Sequence, residues 1–346
     1  MIDDVLSKLK VGNNLSYDET SDSMESILKG NISDEDTGNF LKYLREKGET
    51  DDELLGMLDK MQSFSVHISP KRIGTIIDVC GTGGDNLQTF NISTTASFVI
   101  AAAGGIVAKH GNRSVSGVSG SADIFEYFGY DLGASQERVT EIIDKFGIGF
   151  MFAPKFHPAM KNVANARKMI GGRTAFNLLG PLSNPAQVKN QLIGVYDDKF
   201  LERLALLLKK RGSENIMTVR SQDGLDELST TSKNQVYFLK DNSINKMIID
   251  PQKLGLTKPK IKDIQVTTKD EAVNAFVSVL NNSANKAMIE ITALNAAGGL
   301  VVANVANDFK SGLEIALETI KSGMSFSLFE DFVRYCGNVK KLKEFE

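Results

Sequence analysis

Between Thr75 and Thr95 the chain reads TIIDVCGTGGDNLQTFNISTT, and this stretch constrains the fold more than any other. Ile76, Ile77 and Val79 make a β-rich apolar run through Cys80, which leads into Gly81-Thr82-Gly83-Gly84-Asp85; Ser93-Thr94-Thr95 then open an apolar helix running through Ala103. The order is strand, glycine turn, helix N-terminus. Glycine lets the backbone take positive φ and come close to a ligand, and the free N–H groups and hydroxyls of a helix start suit phosphate oxygens. A phosphate-bearing small molecule is the expected ligand. Two familiar alternatives fail on spacing: a dinucleotide fingerprint needs glycine where Asn86 stands, and a Walker loop needs Gly-Lys-Ser/Thr, yet no lysine lies between Arg72 and Lys109.

A second apolar strand, Gly105–Ala108, ends in the polar loop Lys109-His110-Gly111-Asn112-Arg113. Strand, helix and strand in this rhythm predict a crossover connection and a parallel sheet, with both loops at the carboxyl ends of their strands, where open α/β sheets bind ligands. The Ser/Gly-rich run Ser114–Ser121 sits between a strand end and a helix starting at Ala122, which favours a further anion cradle over a flexible linker. Helices near Gln136–Phe146 and His157–Met169 and a strand near Ile148–Phe152 continue the alternation, and Arg173–Pro185, with two prolines, reads as a shaped turn. A strand at Ile216–Arg220 precedes Asp223-Gly224-Leu225-Asp226-Glu227. Gln235–Leu239 and Lys246–Ile249, around Asp241-Asn242, read as an antiparallel hairpin, and four helices follow, from about Asp270 to Tyr335. Residues 1 to 68 read as helix only, with starts marked by Ser16/Glu19, Ser33/Asp36 and Thr50/Glu53 and with apolar stripes at Phe40, Leu41, Leu44 and at Leu54, Leu55, Leu58, Met61. Ser69-Pro70-Lys71-Arg72 is the joint into the larger part.

With 346 residues the chain is longer than one typical domain core, and its 40 basic against 43 acidic residues, net −3, leave no overall basic field to draw it to nucleic acid or an anionic membrane. The longest apolar run, near Phe98–Gly105, is much shorter than a membrane span. Two distant cysteines, Cys80 and Cys336, and an N-terminus without a long apolar core point to a reducing cytoplasm. The strand-end loops collect Gly, Ser and Thr donors and Lys109, while Asp226-Glu227 adds carboxylates, which do not bind phosphate directly. A Mg²⁺-diphosphate ligand reconciles the two. Cys80 at a strand end reads as a buried small residue, and no His/Cys cluster or nucleophilic triad is persuasive, so stabilisation of a leaving group fits better than covalent catalysis.

Taken together, GTGGD at 81–85, FNIST at 90–94, KHGNR at 109–113, SGSAD at 119–123, HPAM at 157–160, NLLGPL at 177–182, DGLDE at 223–227 and KGET at 47–50 closely resemble the anthranilate phosphoribosyltransferase family, over nearly the whole chain. The resemblance implies a small N-terminal α-helical domain (1–68, joined by a stretch near 170–192) and a larger α/β domain (73–346) with a mainly parallel central sheet and helices around it. It implies transfer of phosphoribose from 5-phosphoribosyl 1-diphosphate to the amine of anthranilate, in tryptophan biosynthesis, by a homodimer joined through the helical domain. Carried over by position, Gly81, Thr82, Gly83, Gly84, Asp85, Thr89, Asn91, Ile92, Ser93, Thr94, Lys109 and Ser121 would hold phosphoribosyl diphosphate. Ser93, Asp226 and Glu227 would hold magnesium, two ions per subunit when that substrate is bound. Gly81, His110, Asn112, Arg167 and Pro181 would face anthranilate, and Lys109, Asp226 and Glu227 would be the catalytic groups. Asn86, Gly117 and Asn165-Ala166 depart from the family pattern without removing an implied ligand. A pyrimidine nucleoside phosphorylase and a nucleic-acid-binding relative are the rival readings; the 109–113 and 223–227 motifs disfavour the first and the net charge the second.

Overall fold

The computed structural model describes residues 2–85, 87–114 and 117–345; Asn86 and, in the Ser114–Ser119 loop, Val115 and Ser116 lie outside the described residues. Helices α1 (Ile2–Lys10), α2 (Tyr17–Leu28), α3 (Asp34–Lys47) and α4 (Asp51–Ser63) come first. Then follow β1 (Ile76–Gly81), α5 (Ile92–Ala102), β2 (Ile106–Gly111), α6 (Ser121–Tyr127), α7 (Gln136–Phe146) and β3 (Ile148–Phe152). Next are α8 (Ala153–Phe156), α9 (Lys161–Ile170), α10 (Ala175–Leu182), β4 (Asn190–Gly194) and α11 (Leu201–Lys210). The chain closes with β5 (Asn215–Ser221), β6 (Asn234–Lys240), β7 (Ser243–Ile249), α12 (Lys269–Leu280), α13 (Lys286–Val302), α14 (Phe309–Lys321), α15 (Met324–Cys336) and α16 (Val339–Leu342). It divides into two compact units, Met1–His67 with Ala153–Gln187, and Ile68–Phe152 with Val188–Glu346.

The helical unit starts its helices where the sequence marks them. Ser16 and Thr50 accept the N–H of Glu19 and Glu53 at 3.1 and 3.3 Å, and each glutamate reaches back to the cap N–H at 3.0 and 2.7 Å. Ser33 accepts the Asp36 N–H at 3.1 Å. Phe40, Leu41, Leu44, Leu54, Leu58 and Met61 are buried, and Leu55 is half-buried. The fully buried Glu53 carboxylate also accepts from Leu15 N–H at 2.8 Å and from Lys47 Nζ at 2.7 Å, so Lys47-Gly48-Glu49-Thr50 folds around one satisfied charge.

The second stretch of this unit begins at Ala153 and is more broken than the sequence suggests. The helix expected from His157 is interrupted by a single 3-10 turn, Pro158–Met160, before α9. The expected shaped turn at Arg173–Pro185 is instead the helix α10, with Pro181 inside it. Pro181 has no N–H to give the Asn177 carbonyl, and the helix stops one residue later, where Ser183 N–H closes the end on Gly180 at 3.2 Å. Asn162 donates to the Leu28 carbonyl and Gln62 to that of Asn184, both at 2.8 Å, tying the returning chain to the first helices.

The α/β unit is built on a seven-stranded sheet of order β3-β2-β1-β4-β5-β6-β7. Strands β3, β2, β1, β4 and β5 run parallel, and β6 and β7 add an antiparallel hairpin turned at Asp241 and Asn242, with φ of 49° and 58°. The sequence pattern did not reveal β4, which pairs with β1 over five residues at the centre of the sheet. From β1 the chain goes to β2 on one side and later to β4 on the other, so the order reverses at the β1/β4 boundary, where open α/β sheets place their ligands. Helix α13, buried along nearly its whole length, packs against α5, α14 and β4, and Phe98 of α5 sits edge-on to Phe276, Phe329 and Phe332 at ring distances of 5.6, 5.3 and 5.4 Å. Among the described residues no helix is long and apolar enough to cross a membrane.

Candidate active site

The carboxyl ends of β1 and β4 meet as Gly81 paired with Gly194. Both must be glycine. A Cβ on Gly81 would lie 2.6 Å from the Asp226 carboxylate, and one on Gly194 only 1.6 Å from the Asp226 carbonyl oxygen, so the acidic segment after β5 lies across the ends of the two central strands. Gly83, at φ +70°, donates its N–H to Asp226 Oδ2 at 2.6 Å. Thr82 spans the same boundary, giving its N–H to Gly194 O at 2.9 Å and accepting from Tyr196 N–H at 3.0 Å. Asp85 closes the glycine turn by accepting from Leu87 N–H at 3.1 Å, and Gly84 has φ +85°.

Lys109 and His110 belong to β2 and not to the loop after it: they pair with Phe150 and Met151 of β3 and are 1% and 7% exposed. A lysine is tolerated there because its ammonium donates to the Val79 carbonyl at 2.6 Å and lies 3.4 Å from Ser93 Oγ. His110 N–H donates to buried Asp78 at 3.2 Å. Helix α5 starts without a side-chain cap, since Asn91 instead gives Nδ2 to Ser119 O at 3.0 Å. Thr94 donates to Ser121 Oγ at 2.9 Å, which joins the Ser/Gly loop to the same helix start, while Ile92 is buried with its N–H on Phe90 O. Thr89 forms an isolated bridge with Gln265. The loop's own N-terminal cradle is partly filled by protein. Asp123 accepts Gly120 N–H and Lys269, both at 2.9 Å, and Arg113 grips Glu126 through two bonds of 2.6 and 2.7 Å, leaving Asn112 exposed with its Oδ1 on Arg113 N–H.

Electrostatically the site holds too much negative charge. Burial, with Asp85 and Glu227 nearby, pushes the Asp226 carboxyl well above its ordinary range. Burial raises half-buried Glu227 to about 7, against the pull of Lys109 and of hydrogen bonds from Ser93. Burial lowers the Lys109 ammonium, and the neighbouring Asp78, Cys80 and Glu227 oppose that. Cys80 is buried with its thiol pushed far up, as expected of a packing residue. Glu227 accepts hydrogen bonds from Ser93 at the start of α5. Among the described residues no group of three His, Cys, Asp or Glu is placed to hold a metal ion.

Arg167 and Pro181 lie in the helical unit. Arg167, on α9, is half-buried with its guanidinium 5.4 Å from the Phe176 ring, and its backbone carbonyl accepts Gly171 N–H at 3.2 Å; burial lowers its pKa. Pro181 is in the last turn of α10. Sequence reasoning missed Gly194, whose need for glycine arises only in space, and the bracing role of Asp223. That carboxylate is pushed up by burial but held below its usual range by the hydroxyls of Ser221, Thr231 and Ser229. It also accepts Leu225 N–H at 3.3 Å, shaping the turn that carries Asp226 and Glu227.

Two family models match the chain: "Glycosyl transferase family, a/b domain" over residues 73–326 and "Glycosyl transferase family, helical bundle domain" over residues 3–65. An anthranilate phosphoribosyltransferase of Nitrosopumilus maritimus is 62% identical over 344 residues, covering 99% of each chain. The crystal structure of the anthranilate phosphoribosyltransferase from Thermus thermophilus superposes with a TM-score of 0.89 at 33% identity, covering 96% of this chain and 98% of that one. The Saccharomyces cerevisiae anthranilate phosphoribosyltransferase in complex with phosphoribosyl diphosphate and Mg shares the fold, with a TM-score of 0.86 at 24% identity and coverage of 96% and 97%.

Proposed function

The chain belongs to the anthranilate phosphoribosyltransferase family, and on that premise we propose that it transfers the 5-phosphoribosyl group of 5-phosphoribosyl 1-diphosphate to the amine of anthranilate, releasing diphosphate, in tryptophan biosynthesis. The observation that carries the reading is the acid pair of buried Asp226 and half-buried Glu227 laid over the β1/β4 switch point, opposite Lys109 and the uncapped start of α5.

The Gly81–Asp85 turn, Thr89, Asn91, Ile92, Ser93, Thr94 and Ser121 hold the phosphates and ribose through N–H and hydroxyl donors. Asp226, Glu227 and Ser93 would hold Mg²⁺, two ions per subunit, which would supply positive charge to the leaving diphosphate. Lys109 adds a fixed positive charge on the same side while the C1–oxygen bond breaks. The C1–nitrogen bond forms to an amine that is neutral at pH 7, and the released proton goes to solvent, so positioning matters more than a strong base. Contact with anthranilate is assigned to Gly81, His110, Asn112 and Pro181, and recognition of its carboxylate to the Arg167 guanidinium, which lies 5.4 Å from the Phe176 ring. The enzyme works as a cytoplasmic homodimer joined through the helical unit.

Incubation of the purified protein with both substrates and MgCl₂, followed by mass spectrometry, should give N-(5-phosphoribosyl)anthranilate and diphosphate in equal amounts. Diphosphate release without the anthranilate adduct would refute the assignment.

A further inference from the structure

The two residues that follow Glu227 are each held by one buried asparagine side chain. Asn295 of α13 accepts the Leu228 N–H at 3.0 Å and donates to the Leu228 carbonyl at 2.7 Å, with a further bond to Ile291 O at 2.9 Å. Asn234 of β6 does the same for Ser229, accepting its N–H at 2.7 Å and donating to its carbonyl at 2.9 Å. Both side chains are fully buried. An amide that offers one acceptor and one donor to the same residue stands in for a neighbouring strand. Through the Leu228 N–H it also fixes the plane of the peptide joining Leu228 to Glu227, and so the direction in which the Glu227 side chain leaves the backbone.

The helix behind Asn295 strengthens the link. α13 packs directly on α5, whose first turn carries Ser93, and one turn beyond Asn295 a Cβ on Gly298 would lie 3.0 Å from the Leu228 side chain, so Leu228 is seated closely on the helix. We infer that Asn295, assisted by Asn234, is a positioning residue: it registers the acidic segment on α13 and thereby sets the spacing between Glu227 and Ser93 for a divalent cation carried on diphosphate. This role rests on the proposed function, because it presupposes that these groups hold the metal.

The test compares wild type with Asn295→Ala, Asn234→Ala and Thr292→Val. Thr292 is a buried control on the same helix whose hydroxyl has no hydrogen-bond partner among the described residues. The first readout is binding of Mn²⁺ in the presence of inorganic diphosphate, followed by loss of the free-ion electron paramagnetic resonance signal. The second is the KM for anthranilate, and circular dichroism monitors folding. Asn295→Ala should weaken Mn²⁺ binding by about tenfold and leave the anthranilate KM within about twofold. Asn234→Ala should show a smaller loss of the same kind, and Thr292→Val none; Asn234→Ala also serves as the reporter if Asn295→Ala does not fold. Unchanged Mn²⁺ binding in a folded Asn295 or Asn234 variant of an active enzyme, or an equal loss in Thr292→Val, would overturn the role. A wild-type protein that binds Mn²⁺ and diphosphate yet consumes no anthranilate would instead overturn the function on which it rests.

Discussion

Gly194→Ala is the smallest change that should disable the site without touching an implied ligand. Its new methyl carbon would start 1.6 Å from the Asp226 carbonyl oxygen and 2.5 Å from the carbonyl carbon, both of them backbone, so no rotamer change can relieve the clash. Ordinary contact requires the acidic segment to withdraw by more than about an ångström. Overpacking of this kind costs about 2 kcal/mol of stability, a fall in Tm of about 3 °C. The effect on turnover is larger, because a displacement of about 1 Å at the reacting groups costs about 100-fold in rate. Gly180→Ala on α10 is the matched control, since a Cβ there meets nothing within 4 Å. Steady-state loss of anthranilate fluorescence at 25 °C, well below the Tm of either variant, should show Gly194→Ala down by about two orders of magnitude and Gly180→Ala within about twofold of wild type. A Gly194→Ala enzyme within threefold of wild type at about the same Tm would refute the account of why that strand ends in glycine.

Without divalent ions, the raised Glu227 carboxyl, about 7 against an ordinary 4.5, means that the folded protein binds its proton more tightly than the unfolded chain does. Its contribution to stability is therefore lost as pH rises from about 4.5 to about 7, and Glu227→Gln should gain about 3 °C in Tm over wild type at pH 8 relative to its standing at pH 5; a pH-independent difference would count against the burial of that charge. Arg167→Ala should raise the anthranilate KM about 30-fold and leave that for phosphoribosyl diphosphate unchanged, with Arg167→Lys restoring only part; equal effects on both substrates would remove Arg167 from carboxylate recognition. Glu53→Gln strands the Lys47 ammonium, whose side chain is only 6% exposed, and should destabilise the protein by about 3 kcal/mol in urea unfolding, whereas a loss under about 1 kcal/mol would show that the pair is not held as described.

Where local chemistry dictates structure, the sequence was legible. The β-branched run into Gly81, the capping boxes at Ser16 and Thr50, and the left-handed pair Asp241-Asn242 gave strand, helix starts and hairpin turn, because each signal acts within a few residues. β4 was hidden by its own burial. Asn190 and Gln191 sit inside it, Asn190 being satisfied by Asn215 at 2.8 Å, and polar residues in a five-residue strand erase the apolar pattern. The stripe Leu201, Leu204, Ala205 and Leu208 of α11 is visible in retrospect, but that helix has no side-chain cap to announce it. Lys109 and His110 looked like loop residues because charge and polarity usually mark a strand's end; here the Val79 carbonyl accepts from the Lys109 ammonium inside the sheet, and the Asp78 carboxylate accepts the His110 backbone N–H. At the candidate site, the glycine turn, Lys109 and the acid pair proposed to meet the ligands stood out as motifs. Gly194, Asn234 and Asn295 did not, because they meet residues 226–229 only across space and carry no local pattern of their own.

The central claim is tested most directly by mixing catalytic amounts of the protein with anthranilate and phosphoribosyl diphosphate and following anthranilate fluorescence, first with MgCl₂ and then with excess EDTA. The account predicts rapid loss of fluorescence that stops on chelation and resumes when Mg²⁺ is restored. A folded protein that leaves the fluorescence unchanged with Mg²⁺ present, or consumes anthranilate equally well in EDTA, would contradict it.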